Sequence, residues 1–418
     1  MDAAIITITQ ARGLALERAK GARIRHIAGD VYFVPSVTST SGYVVNGAAN
    51  TCSCAAHEES GAICKHQWAL RYHRHDAEVP EESTAVTVPA PPLLEPHRLT
   101  YGQSWSDYNH AQCEEKERVR LLLRGLCDGI IEPVQTRGRP RIPLGDAIYC
   151  ATMKVYTTVS GRRATTDLKA CETSGLVKKA AHYNSVFRTI ERADLKPLLK
   201  QLVEQSATPL RAIEKTFAAD STGLATNTYS RWFEHAYGEP SRKQRWVKLH
   251  AMVGTFTNVI TAVEVTESYL GDAPMLIPLL DTTLASGFNV REVCADKAYL
   301  SNDNLIAIEA AGAEPFIPFK SNSTPAGNSE VWRRLHHGFE FNREDFSARY
   351  HQRSNVEATF SALKRKFGAA VRSRLPAAQL NEALLMCLCF NLSRLVHVIH
   401  VLGVEPQFWL PVPKKVMP

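Results

Sequence analysis

No stretch of this sequence reaches the roughly 18 uninterrupted apolar residues that a membrane-spanning helix needs. The best candidate, LLMCLCFNLSRLVHVIHVLGV (384–404), is broken by Asn391, Ser393, Arg394 and two histidines. It reads as a largely buried helix, and no membrane partner is expected. The N-terminal MDAAIITITQARGLALERAK lacks a basic leader followed by a long apolar run, so no signal peptide is expected. A strong charge of one sign is also missing. The balance of 49 Lys and Arg against 42 Asp and Glu leaves +7, which permits a polyanionic partner without requiring one. Ten cysteines in 418 residues make no disulfide scaffold, and a reducing cytoplasm is the expected compartment. With 44% hydrophobic and 22% charged residues, wholesale disorder is excluded. At roughly 150 residues per domain, the length suggests two or three folded units.

The clearest boundary is AEVPEESTAVTVPAPPLLEP (77–96), which holds five prolines and no periodicity and reads as an extended linker. It separates a small module, 1–76, from a helical region, 97–206. Within that region CEEKERVRLLLRGLCDGI (113–130) has helical apolar spacing, and the turn-rich EPVQTRGRPRIP (132–143) stops it. From about 207 the texture becomes strand-like in EKTFAADSTGL, WVKLHAMVGTFTNVITAVEVTE, NVREVCADKAYL and EPFIPFK, with helical segments at 274–286 and 301–311. Strands alternating with helices predict an α/β sheet domain over 207–402, followed by a tail, 403–418.

Two clusters carry chemistry. In the first, Cys52-x-Cys54 is followed, after nine intervening residues, by Cys64-x-His66. Three thiolates and an imidazole are a tetrahedral zinc set, closed to substrate and therefore structural. Cys52 and Cys54 are expected on one face of a strand. CKHQWALRYH reads as a helix start that brings in Cys64 and His66, while His57, His73 and His75 are expected to be solvated. The cluster resembles the SWIM zinc finger, whose strand–strand–helix layout suits DVYFVPSV, GYVVNG and the helix after them. In that family the module binds DNA or protein partners.

The second cluster is dispersed. Asp220 ends the apolar TFAAD, Asp296 ends REVCAD, and each is expected at the C-terminal end of a buried strand, where open α/β sheets place chemistry. Glu357 lies in YHQRSNVEATFSALKRKFG (350–368). On one helix at about 100° per residue, Tyr350, Arg353, Glu357 and Lys364 fall within an arc of about 60°, with Val356, Phe360 and Leu363 packing inward. Lys364, Arg365, Lys366, Arg372 and Arg374 follow with no acid among them. Carboxylates held in one cleft bind the Mg²⁺ or Mn²⁺ pair used in phosphodiester chemistry, and neighbouring cations hold the phosphate backbone. Taken singly, a strand-end Asp is commonly a cap and a basic helix face is commonly solvated. The combination is what points to function.

DSTGL, CADKAYL and the 350–368 segment resemble the three catalytic blocks of prokaryotic insertion-sequence DDE transposases. The last block matches their Tyr-(2)-Arg-(3)-Glu-(6)-Lys signature at every spacing. The resemblance covers about 210–400. It implies an RNase H-like mixed sheet with flanking helices, and Asp220, Asp296 and Glu357 as a triad for two Mg²⁺ or Mn²⁺ ions. Tyr350, Arg353 and Lys364 would contact DNA or steady the glutamate helix. It further implies strand cleavage and transfer, double-stranded DNA as partner at transposon ends and target, a homodimer or larger synaptic assembly, and a prokaryotic cytoplasmic, nucleoid-associated location. Ala298 stands where many relatives have Gly, and is expected to be tolerated. A retained-fold DNA-binding protein, a zinc-dependent adaptor and a nuclease without joining activity are the alternatives.

Further DNA contacts are expected from Arg242, Lys243, Arg245 and Lys248 in SRKQRWVKLH, alongside Arg365 and Lys366. RGRPR (137–141), with Arg137 and Arg139, resembles the AT-hook core, or is a plain basic turn. TTDLKACETSGL and AHYNSVFRTIERA can be read as a helix-turn-helix presenting Asn184 and Arg188, or as part of a helical bundle.

Overall fold

Residues 8–36, 42–76, 104–138, 140–226, 246–267, 270–325 and 329–409 are described by a computed structural model, in which the chain divides into two units, 1–100 and 101–418. In the first unit, alternating residues in VYFVP and GYVVN pair as β2 (Val31–Pro35) and β3 (Gly42–Asn46), the two strands expected from sequence. They belong to a four-stranded antiparallel meander completed by β1 (Arg25–Ala28) and β4 (Thr51–Cys52). Three helices accompany it: α1 (Ile8–Lys20), α2 (Ala55–Ser60) and α3 (Lys65–His73). The module is thus larger than strand–strand–helix. α1, rich in strong helix formers, lies against α3. Glycine at position 13 makes that approach possible, because a Cβ there would sit 2.3 Å from the Cβ of Trp68. Leu16, Val34, Val45 and Leu70 form a small core together with the three cysteines of the cluster.

The second unit opens with five helices: α4 (Trp105–Asp128), α5 (Leu144–Tyr156), α6 (Gly161–Thr173), α7 (Tyr183–Ile190) and α8 (Lys196–Ala207). A five-stranded sheet follows, built from β5 (Thr216–Ala225), β6 (Trp246–Gly254), β7 (Ile260–Glu267), β8 (Glu292–Ala295) and β9 (Glu314–Phe316). Its order is β7-β6-β5-β8-β9, with β5, β6 and β7 antiparallel and β8 and β9 parallel to β5. This is the RNase H-like arrangement, with helices Leu276–Ala285 and Asn302–Ala310 in the connections. Phe217, Ala218 and Ala219 of central β5 are fully buried, as befits a strand covered on both faces.

The helix Pro376–Leu402 is long and apolar enough to cross a membrane by length and composition, yet two thirds of its most apolar window is buried inside the protein. It packs against α4, α5, α8 and β7, so the helical region and the sheet share one core. Its buried Asn391 accepts from Ile260 N at 2.9 Å and donates to Ile260 O at 2.7 Å and Ser206 Oγ at 2.9 Å. The side-chain amide thereby satisfies the N–H and C=O of Ile260 at the start of β7, the outer strand, as a neighbouring strand would.

Candidate metal and nucleic-acid site

Parallel register brings the first two carboxylates together. Ala219 pairs with Ala295, so the residues that follow them, Asp220 and Asp296, emerge side by side from β5 and β8. Asp296 leaves its strand as expected and caps the turn Lys297–Tyr299, accepting from Ala298 N at 2.8 Å. Asp220 differs from expectation, being in the middle of β5 rather than at its end. Pairing with β8 stops at Ala219, but β5 continues to Ala225 because β6 pairs with it throughout. Among the described residues, positive φ outside glycine is confined to Asn50, His75, Thr158 and Asn258, so Ala298 needs no glycine.

Glu357 lies in the first turn of the helix Ser354–Phe367, which Val356, Phe360, Leu363 and Phe367 anchor in the core. The expected single helix through 350–368 is instead interrupted. The helix Arg343–Tyr350 leads into a 3-10 turn, His351–Arg353, before the Glu357 helix begins. In a 3-10 turn residues three apart eclipse one another, and the Arg353 guanidinium lies 5.8 Å from the Tyr350 ring centroid. Arg353 then forks between acids: Nη1 donates to Asp220 Oδ2 at 3.1 Å and Nη2 to Glu357 Oε1 at 2.5 Å. Burial pushes the Asp220 carboxyl above its usual range, with Asp296 and Glu357 adding to the rise. The Ser221 N–H at 2.7 Å and Arg353 oppose it.

The flanking basic residues divide. Arg365 is exposed, and Lys364 is half-buried. Lys366, also exposed, is paired within the fold, donating to the Glu115 carboxylate of α4 at 2.5 and 2.6 Å and lying 5.7 Å over the Tyr156 ring. Lys248 is likewise engaged, 2.9 Å from both Leu270 O and Asp272. Arg137 is exposed, whereas Arg139, Arg242, Lys243 and Arg245 lie outside the described residues. Asn184 and Arg188 are exposed on α7. The connection from α6 to α7, residues 174–182, is longer than the three or four residues usual in a helix-turn-helix.

Two polar groups around the acids escaped sequence reasoning. Behind Asp220, fully buried His250 lies 3.3 Å from Asp272 and 3.0 Å from Thr266 Oγ1. Glu214, also fully buried, accepts from Thr257 N and Oγ1, both at 2.6 Å, and so fixes the β6–β7 turn. Thr255 of that turn donates to Gln352 at 3.0 Å, next to Arg353. An ionisable residue between the apolar Leu249 and Ala251, as in WVKLHAMVG, was the available signal for His250.

Residues 211–392 match the family model described as transposase DDE domain. That segment contains Asp220, Asp296 and Glu357 and excludes the cysteine–histidine module. No curated protein matches the chain. Among solved structures, the chain is similar to that titled "Cryo-EM structure of piggyBac transposase synaptic complex with hairpin DNA (SNHP)". The likeness has 10% identity and a TM-score of 0.31, covering 70% of this chain and 74% of that one.

In the first unit, Cys52, Cys54, Cys64 and His66 are all buried, and their donor atoms lie within 4.8 Å of one another. Among the described residues they are the one such compact set. Strand β4 ends at Cys52 and Cys54 caps α2, but the backbone between them stays extended, with Ser53 N still bonded to Val44 O at 3.0 Å, and both thiols aim at one point as expected. Cys64 caps α3, its own N–H held by Gln67 Oε1 at 2.8 Å, and His66 follows in the first turn. His66 Nδ1 is 3.9 Å from Cys52 Sγ and 3.8 Å from Cys64 Sγ. With Zn–S near 2.3 Å and Zn–N near 2.0 Å, tetrahedral edges are about 3.5–3.8 Å, so donor types and spacing fit zinc. The Cys64 thiol is pulled down chiefly by its hydrogen bond with Cys52, helped by His66, while burial pushes Cys54 up. His57 stays outside the set, bonding Ala62 O at 2.8 Å.

Proposed function

We propose that this protein is a DNA transposase that cleaves at transposon ends and joins the freed 3′-hydroxyl to target DNA. The observation that carries the reading is the convergence of Asp220, Asp296 and Glu357 from β5, β8 and the helix Ser354–Phe367, inside the segment that matches the transposase DDE family. An all-oxygen donor set suits Mg²⁺ or Mn²⁺, and these three carboxylates would hold two such ions. Bound there, the ions would supply an activated water and charge stabilisation at the phosphate.

The chain's own residues do the rest. Arg353 and Tyr350 present a cation and a phenol beside the acids, and exposed Arg365 and Arg137 offer phosphate contacts. Lys364, with Lys366, Arg139, Arg242, Lys243 and Arg245, belongs to the same proposed DNA-contact set. Lys366, already paired with Glu115, acts more as a tether of the Glu357 helix. Cys52, Cys54, Cys64 and His66 would hold a structural zinc in a SWIM-type module that engages DNA or a protein partner. Joining two ends calls for a homodimer or larger assembly, working in a prokaryotic cytoplasm at the nucleoid.

The test is cleavage and strand transfer in vitro on the DNA flanking the protein's own gene, with Mg²⁺ or Mn²⁺, comparing wild type with Glu357→Gln. Joined products that vanish in the variant are expected. Cleavage without joining would make it a nuclease, and binding without cleavage would make it a DNA-binding protein on a transposase fold.

A further inference from the structure

The guanidinium of Arg353 occupies the point at which the first and third carboxylates converge. One N–H goes to Asp220 at 3.1 Å and another to Glu357 at 2.5 Å. Two further oxygens accept backbone hydrogen bonds, Asp220 Oδ1 from Ser221 N at 2.7 Å and Asp296 Oδ1 from Ala298 N at 2.8 Å. A divalent cation seeks the same carboxylate oxygens and repels a guanidinium placed among them, so the two occupants exclude each other. The arginine has an open side. Its side chain is 20% exposed, and its fork suits a phosphate at least as well as a carboxylate. The neighbouring Tyr350 ring gives the guanidinium a second face to rest on.

We infer that Arg353 is a displaceable latch on the metal site, released when a DNA phosphate draws its guanidinium away, so that DNA binding and metal binding strengthen each other. This rests on the proposed role of the three carboxylates as metal ligands. Arg353 thus acts on the ligands rather than on the reacting atoms. The coupling is reciprocal, since DNA must raise metal affinity by the factor by which metal raises DNA affinity.

The experiment measures Mn²⁺ binding to the zinc-loaded full chain through loss of the free-ion paramagnetic resonance signal, with and without a short DNA duplex. Without DNA, Arg353→Gln is expected to bind Mn²⁺ about tenfold tighter than wild type, within the usual range of coupling factors. Arg353→Lys, which keeps the charge but loses the fork, should fall between. It decides the matter should the glutamine variant not fold. Duplex DNA should tighten Mn²⁺ binding to wild type by a factor that shrinks in Arg353→Gln. Equal or weaker Mn²⁺ binding by the Arg353 variants, with binding abolished in Glu357→Gln, overturns the latch and leaves the metal-ligand reading intact. If wild type and Glu357→Gln bind Mn²⁺ alike, the metal-ligand reading fails and the latch with it.

Discussion

Cys64→Ser isolates the contribution of metal to the first unit. Serine is a preferred helix N-cap, so the start of α3 gains a capping oxygen in place of the sulfur while the cluster loses one of four donors. Apart from the ligands, the core consists of Leu16, Ile24, Val34, Val45, Ala69 and Leu70. A core of that size rarely supplies a net stability above about 3–5 kcal/mol. A structural zinc contributes about 10 kcal/mol or more, so losing it exceeds what the module can absorb. The wild-type chain should carry about one zinc, and Cys64→Ser close to none. Hydrogen exchange then reads the consequence strand by strand. Amides of β2 and β3 should lose protection in the variant or after chelation, while β5 and β6 in the second unit keep theirs as an internal control. Unchanged β2 and β3 protection in a chain shown to be free of zinc would refute the reasoning.

The buried Asp220 carboxyl is held above its ordinary range, so its ionisation opposes folding. Stability from this group is full below the ordinary Asp pKa and is lost as pH rises through the higher folded value. Asp220→Asn should therefore melt higher than wild type near pH 7, with the gain shrinking toward pH 4 and cleavage abolished; a variant no more stable at neutral pH counts against the assignment. Asn391→Ala strips two buried backbone groups of Ile260 of partners, at about 1–3 kcal/mol each. Thermal unfolding of the second unit should fall by about 4–12 °C at about 2 °C per kcal/mol, and a shift within 1 °C would contradict the edge-closing role. Arg365→Ala should weaken DNA binding evenly across sequences and reduce the slope of log affinity against log salt by about 1. An unchanged slope would remove Arg365 from the phosphate contacts.

Much of the Glu357 helix was legible because its signal is local. Side chains three and four apart share a helical face whatever the rest of the chain does, so Val356, Phe360 and Leu363 could be assigned inward from spacing alone. The 3-10 turn at His351–Arg353 was not legible, since no glycine or proline marks it. The cysteine–histidine set was read from donor types and a short span. That Cys54 doubles as the cap of α2, with the strand ending at Cys52, was not legible, because strand periodicity does not mark where a strand stops.

What the sequence determined by itself is the local chemistry: four soft donors within one short segment, two acids each ending an apolar block and a third within a helical one, and alternating strands and helices. Tertiary structure decided which distant groups meet. Parallel pairing of β5 with β8 sets Asp220 beside Asp296, Arg353 reaches across to Asp220, and Glu115 claims Lys366. Periodicity operates over a few residues, whereas these contacts span 133 and 251 positions and are fixed only when sheet register and helix packing close around one core.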